Sequence, residues 1–182
     1  DELGIDKNKI AVMGESAGGY FSAMTAVTNG ERKYDVGKYL NESSEVQAAI
    51  DIYGLSDLTK VGDDFSEEVQ RQHDSPAATE ALMANGAVPF GGDGSTIKNS
   101  KKVNEVNPII HISSKTPPFL LLHGDKDTLV SPSQTEILHK ALVAKGIDST
   151  RYVVKNAAHG GNYWIQPEVM KVIIDFLNKN LK

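Results

Sequence analysis

The chain has 182 residues, 40% hydrophobic and 24% charged, with 16 glycines and 7 prolines, the balance of one globular domain or a piece of a larger one. A formal charge of −5 without a basic cluster argues against nucleic acid as a partner, and the lack of cysteine removes disulfides, thiolate metal sites and a cysteine nucleophile. No apolar run reaches the ~20 residues of a membrane span and the N-terminus carries no secretory-signal pattern, so no span is expected and the compartment, cytoplasmic or secreted, stays open.

Apolar runs bounded by turn residues, Ile10 to Gly14, Ala48 to Gly54, Pro118 to Gly124 and Arg151 to Lys155, predict strands buried on both faces. After the first, Tyr20, Phe21, Met24 and Val27 predict a helix that stops at Asn29-Gly30. Residues 55–116 hold no clear strand: a polar run 63–74, a short helical pattern near 77–84 and a glycine cluster 86–94 read as a lid or specificity insertion. After the third run, Ser131 as N-cap, Pro132 in the first position and Gln134 as capping-box partner open a helix with Ile137, Leu138, Leu142 and Val143 that ends at Gly146. Val169, Met170, Val172, Ile173, Phe176 and Leu177 recur at helical spacing and close the chain. Strands alternating with helices predict an α/β fold: a mostly parallel sheet of about four strands flanked by helices, with active groups at the carboxyl ends of the strands.

Directly after the first strand stands Gly14-Glu15-Ser16-Ala17-Gly18-Gly19, a G-x-S-x-G pattern at a strand-to-helix turn. Glycines are expected on both sides of Ser16 because side chains there would collide with the neighbouring strand and helix. Ser16 becomes the candidate nucleophile, and the Ala17 amide, at a helix N-terminus, the first oxyanion donor. A serine nucleophile needs a base and an acid that fixes the base's tautomer. Asp125 and Asp127 follow the third strand and His159 the fourth, at the same end of the sheet as Ser16. Spacing alone does not say which aspartate turns inward; Asp127 is preferred, with Asp125 on loop amides. His73, His111, His123 and His139 are read as structural or solvated, and Ser56 as a helix cap. Glu15, Tyr20 and Trp164 are candidate substrate-binding residues; for Tyr20 and Trp164, as for Phe90 and Tyr163, core packing is an equal reading. No carboxylate and histidine cluster has ligand spacing, so neither metal nor organic cofactor is expected.

Residues 10–19, His123-Gly124-Asp125-Lys126-Asp127 with Val130, and His159-Gly160 resemble the α/β-hydrolase superfamily, and are most similar to bacterial carboxylesterases of the acetyl esterase, feruloyl esterase and lipase-like group. The resemblance implies a serine hydrolase of small, acetyl or aromatic esters, with Asp127, the second aspartate of His-Gly-x-x-Asp, as triad acid. Prolyl-oligopeptidase-like enzymes share the pattern but usually carry Tyr where this chain has Ala17. In the superfamily the elbow follows the fifth of eight strands, whereas 15 residues precede Ser16 here, so residues 1–182 resemble the C-terminal part of the domain. The loop that gives the second oxyanion amide, often His-Gly-Gly-Gly, is not in the sequence. The expected partners are therefore an ester substrate and either an upstream half or a second copy. A non-catalytic half-hydrolase is the alternative.

Overall fold

The computed structural model describes residues 4–182. Strands β1 (Ala11–Glu15), β2 (Ala48–Ile52), β3 (Phe119–Gly124) and β4 (Ser149–Val154) alternate with helices α1 (Ala17–Val27), α2 (Glu67–His73), α3 (Thr79–Asn85), α4 (Pro108–His111), α5 (Ser133–Ala144) and α6 (Pro167–Asn180). The strands form one parallel sheet in the order β1-β2-β3-β4.

Every residue of β2 and β3 is buried, as apolar runs between two helical layers require. Ala48, Ile50, Ile52, Leu120 and Leu122 pack with Val169, Ile173 and Phe176 of α6. Ala49, Phe119 and Leu121 point the other way, onto Ala23, Ala26 and Val27 of α1 and Leu138 and Leu142 of α5. The two outer strands depart from the expectation of burial on both faces. Among the described residues each pairs on one side only, and both carry half-buried and exposed positions. Met13 on β1 is 56% exposed. Helix α1 lies close on β2 because Gly19 and Gly54 are bare: a Cβ on Gly54 would come within 2.7 Å of the Gly19 backbone.

The stretch 55–116 has no strand, as expected, but it has a core of its own. Leu55, Leu58, Val61, Ala81, Ala84 and Ile97 cluster with Tyr20 of α1 and Val130. His73 Nδ1, at the end of α2, sits 2.6 Å from Glu80 Oε1 of α3, and Glu80 is buried. Ser56 is not a helix cap, and Gln134 does not close a capping box. Ser56 N–H donates to Gln134 Oε1 (2.8 Å) and Ser56 Oγ donates to Gln134 O (2.6 Å), so Gln134 satisfies buried backbone of the insertion instead. The cap of the short turn Leu58–Lys60 is Asp57, which accepts from Thr59 N–H, while Ser131 Oγ accepts from Ser133 N–H where α5 begins. Among the described residues no helix is long and apolar enough to cross a membrane.

Candidate active site

The chain leaves β1 at Glu15 and enters α1 at Ala17, so one residue makes the whole turn. That residue, Ser16, has φ 55° and ψ −120°, a backbone conformation that costs a non-glycine residue roughly 1–3 kcal/mol. Its N–H donates to Ile52 O (2.9 Å), anchoring the turn to the end of β2, and its carbonyl accepts the first helical bond from Tyr20 N–H (3.1 Å). A Cβ on Gly14 would lie 2.3 Å from Gly18 O, so that position must be glycine. The expected collision at Gly18 does not occur, since nothing lies within 4 Å of a Cβ built there. The crowded helical glycine is Gly19, whose Cβ would meet Asp51 Oδ1 at 2.3 Å. Ala17 opens α1, where first-turn N–H groups have no intrahelical partner.

Two loops at the same end of the sheet close on Ser16. A Cβ on Gly124, the last residue of β3, would stand 2.2 Å from Ala157 O; without it the loop after β4 folds against the loop after β3, and Lys126 N–H donates to Ala157 O (3.0 Å). Asn156 turns that loop with φ 63°. The outcome is a continuous hydrogen-bonded row. His159 Nε2 lies 2.9 Å from Ser16 Oγ, and His159 Nδ1 lies 2.7 Å from Asp127 Oδ2. The other carboxylate oxygen, Asp127 Oδ1, accepts from the Leu129 and Val130 amides at 2.9 and 3.0 Å. Asp125 is exposed and accepts from Asn156 N–H (2.6 Å), so it shapes the loop. Burial alone would raise the Asp127 carboxyl; hydrogen bonds from His123, His159 and the Val130 and Leu129 amides outweigh it and hold the group well below the usual carboxylate range. Asp127 is therefore ionised at neutral pH.

The candidate substrate residues fare differently. Glu15 is exposed beside Ser16 and accepts a hydrogen bond from Tyr53 Oη. Tyr20 and Trp164 are buried and their polar tips are used inside the protein: Tyr20 Oη donates to Val106 O (2.8 Å) and Trp164 Nε1 to Ala158 O (3.2 Å). Neither offers a free surface to a ligand: Tyr20 packs into the core of residues 55–97, and Trp164 backs the ring of Tyr53. Burial, with the Tyr34 hydroxyl nearby, pushes the Tyr20 phenol up to about 12. Among the described residues no His, Asp and Glu side chains group so as to hold a metal ion.

The sequence profile of the BD-FAE family matches residues 1–142. The chain belongs to the BD-FAE family. It is 29% identical over 133 residues to the probable carboxylic ester hydrolase LipM of Mycobacterium tuberculosis, covering 73% of this chain and 27% of that protein. It is 27% identical over 158 residues to esterase LipQ of the same organism, covering 87% and 34%. This BD-FAE chain thus spans about a third of the length of the curated relatives it matches. It superposes on a truncated carbohydrate esterase from gut microbiota with a TM-score of 0.82 at 23% identity, covering 98% of this chain and 62% of that one. With a propionate-bound esterase of Thermogutta terrifontis the TM-score is 0.66 at 22% identity, covering 98% and 58%. The fold is of the α/β-hydrolase type.

In this BD-FAE chain two residues near the row went unseen in the sequence. Tyr53 ends the second apolar run and reads as a strand residue, yet φ 44° turns its ring out of β2 and against His159, with centroids 4.7 Å apart, and against Trp164 at 4.5 Å. Its phenol is pushed up by burial first, then by the Glu15 carboxylate and the charge of Asp127. The Tyr-Gly pair after an apolar run was the available signal. His123, read as a strand histidine, lies 3.3 Å from Asp127 Oδ2 through its Nε2.

Proposed function

We propose that this chain carries the nucleophile, base and acid of a serine ester hydrolase. The observation that carries the reading is the row Ser16 Oγ, His159 Nε2 (2.9 Å) and His159 Nδ1, Asp127 Oδ2 (2.7 Å). In the proposed reaction His159 Nε2 takes the Ser16 proton as Oγ adds to the ester carbonyl carbon. The ionised Asp127 stabilises the imidazolium and fixes its tautomer. Negative charge on the carbonyl oxygen faces the Ala17 N–H. Collapse breaks the bond to the alcohol, which leaves with the proton from His159. Water then adds to the acyl carbon, giving its proton to His159, and the acid and free Ser16 are released.

The substrate class we infer is small acetyl or aromatic acyl esters. A solved relative described as a carbohydrate esterase and another holding propionate agree with short acyl groups and suggest a sugar hydroxyl as the alcohol. An open groove of about 780 Å³ follows α2 and α3, but none of Ser16, Asp127 and His159 lines it. We therefore infer that the acyl and alcohol pockets, and a second oxyanion donor, come from chain that pairs with the open edge of β1. Lack of one such donor costs about 3 kcal/mol of transition-state stabilisation, a hundredfold or more in rate. That cost, with the exposed β1 edge, is what favours the second reading, a half-hydrolase that is weak or silent alone.

Turnover of p-nitrophenyl acetate by the chain and its variants tests the roles. Asp127→Asn lowers turnover by about 10⁴, the loss expected when the base is held in the wrong tautomer, and Asp125→Asn has a far milder effect. The reverse ranking would overturn the assignment.

A further inference from the structure

His123 is fully buried in β3, following Leu120, Leu121 and Leu122. Its polar contacts run in one direction. Nδ1 lies 3.1 Å from Thr135 Oγ1, while Nε2 lies 3.0 Å from Val130 O and 3.3 Å from Asp127 Oδ2. Arg151 Nε donates to Thr135 Oγ1 (3.1 Å), which leaves that hydroxyl its own proton to give. Thr135 Oγ1 is also placed to donate to Pro132 O (3.3 Å), a carbonyl whose second lone pair accepts from Arg151 Nη2 (2.9 Å). Val130 O and the Asp127 carboxylate can only accept, so the ring nitrogen that faces them, Nε2, carries a proton. Val130 O and Asp127 Oδ2 belong to the same turn, the one whose amides hold Asp127 Oδ1.

We propose that His123 is a positioning residue for the acid: its Nε2–H clamps the turn Asp127 to Val130 from beneath and gives the Asp127 carboxylate a second ring donor opposite His159. The inference rests on the Ser16, His159, Asp127 reading above. The row then extends through the sheet, from Ser16 and His159 by way of Asp127 and His123 to Thr135 on α5 and Arg151 on β4. Arg151 supplies a fixed positive charge at the far end, with Glu136 of α5 as its own neighbouring charge. Tyr53, the residue after β2, is the titratable group that faces Asp127 from that side. A carboxylate this buried stays charged only while its acceptor sites are filled, and His123 fills the one that His159 and the two amides leave.

Nuclear magnetic resonance of the histidine rings in the full chain tests this, on the wild type, His123→Gln and His123→Phe, beside fluorophosphonate labelling of the same preparations. The wild-type His123 ring is expected to carry a proton on Nε2. His123→Phe is expected to move the resonance of the His159 Nδ1–H and to slow labelling by about tenfold or more, the loss of one hydrogen bond to a charged group. His123→Gln keeps an N–H at the Nε2 place and restores both. A wild-type His123 without a proton on Nε2 overturns the proposal, as does a folded His123→Phe chain whose His159 proton and labelling rate match the wild type. If His123→Phe does not fold, the wild-type tautomer and the Gln variant decide it. A wild type that shows the expected rings but takes no label contradicts the esterase reading and leaves the ring assignment standing.

Discussion

Asp51 shows how a single residue in β2 sets a condition on the whole elbow. Its Oδ1 accepts from Gly54 N–H (2.7 Å) and faces bare Gly19, while Oδ2 is buried without a partner among the described residues. Burial pushes the carboxyl from the usual 3.8 up to about 7, against the pull of the Gly54 amide. The folded value lies above the unfolded one, so between about pH 4 and pH 7 the folded chain keeps a proton that the unfolded chain has released. Stability from this group is full below the unfolded value and is lost as pH rises through about 7. Asp51→Asn is expected to flatten that slope, by an amount on the order of a few kcal/mol between about pH 5 and about pH 8 in urea unfolding. An unchanged slope would mean the carboxyl is not buried as described. At this scale the sequence spoke through Gly14, Ser16, Asp127 and His159, whose types are those that a sharp turn and the proposed proton transfer require. It was silent on Gly18 against Gly19, because which glycine meets Asp51 depends on how α1 lies over β2. Tyr20 and Trp164 read as aromatics without saying where their polar tips end.

Gln134 carries the lesson at the scale of elements. Placed three residues after Ser131, it has the spacing of a capping box, yet it reaches across to Ser56 and ties α5 to the start of the insertion. Local pattern cannot see a partner 78 residues away. Gln134→Ala leaves the buried Ser56 N–H without an acceptor, at a cost of about 1–3 kcal/mol. Amide exchange is expected to rise first in residues 55–62 and only later in β3, and uniform loss of protection would contradict a role local to this junction. The strands and the closing helix were legible because β2, β3 and α6 bury continuous or periodic apolar sets. The insertion was not, since its core is assembled from residues scattered between Leu55 and Ile97 and completed by Tyr20 and Val130.

At the scale of the whole fold, the parallel sheet of the described residues ends at β1, whose outer side has no strand partner among them. Met13 is 56% exposed there and Phe21, on the adjoining helix, 58%. Unpaired strand amides beside apolar side chains are a template for another strand. We expect the chain to self-associate or to bind an upstream half, and Met13→Lys to weaken that association. Sedimentation at micromolar concentration would contradict this if the wild-type chain ran as a cooperatively folded monomer. The central claim concerns the row at the carboxyl ends of the strands, whatever covers the edge. Mass mapping of the chain after treatment with a fluorophosphonate tests it most directly. The account predicts one adduct, on Ser16, absent from Ser16→Ala and much slower to form in Asp127→Asn. An adduct on another residue, or labelling that survives Ser16→Ala, would contradict it.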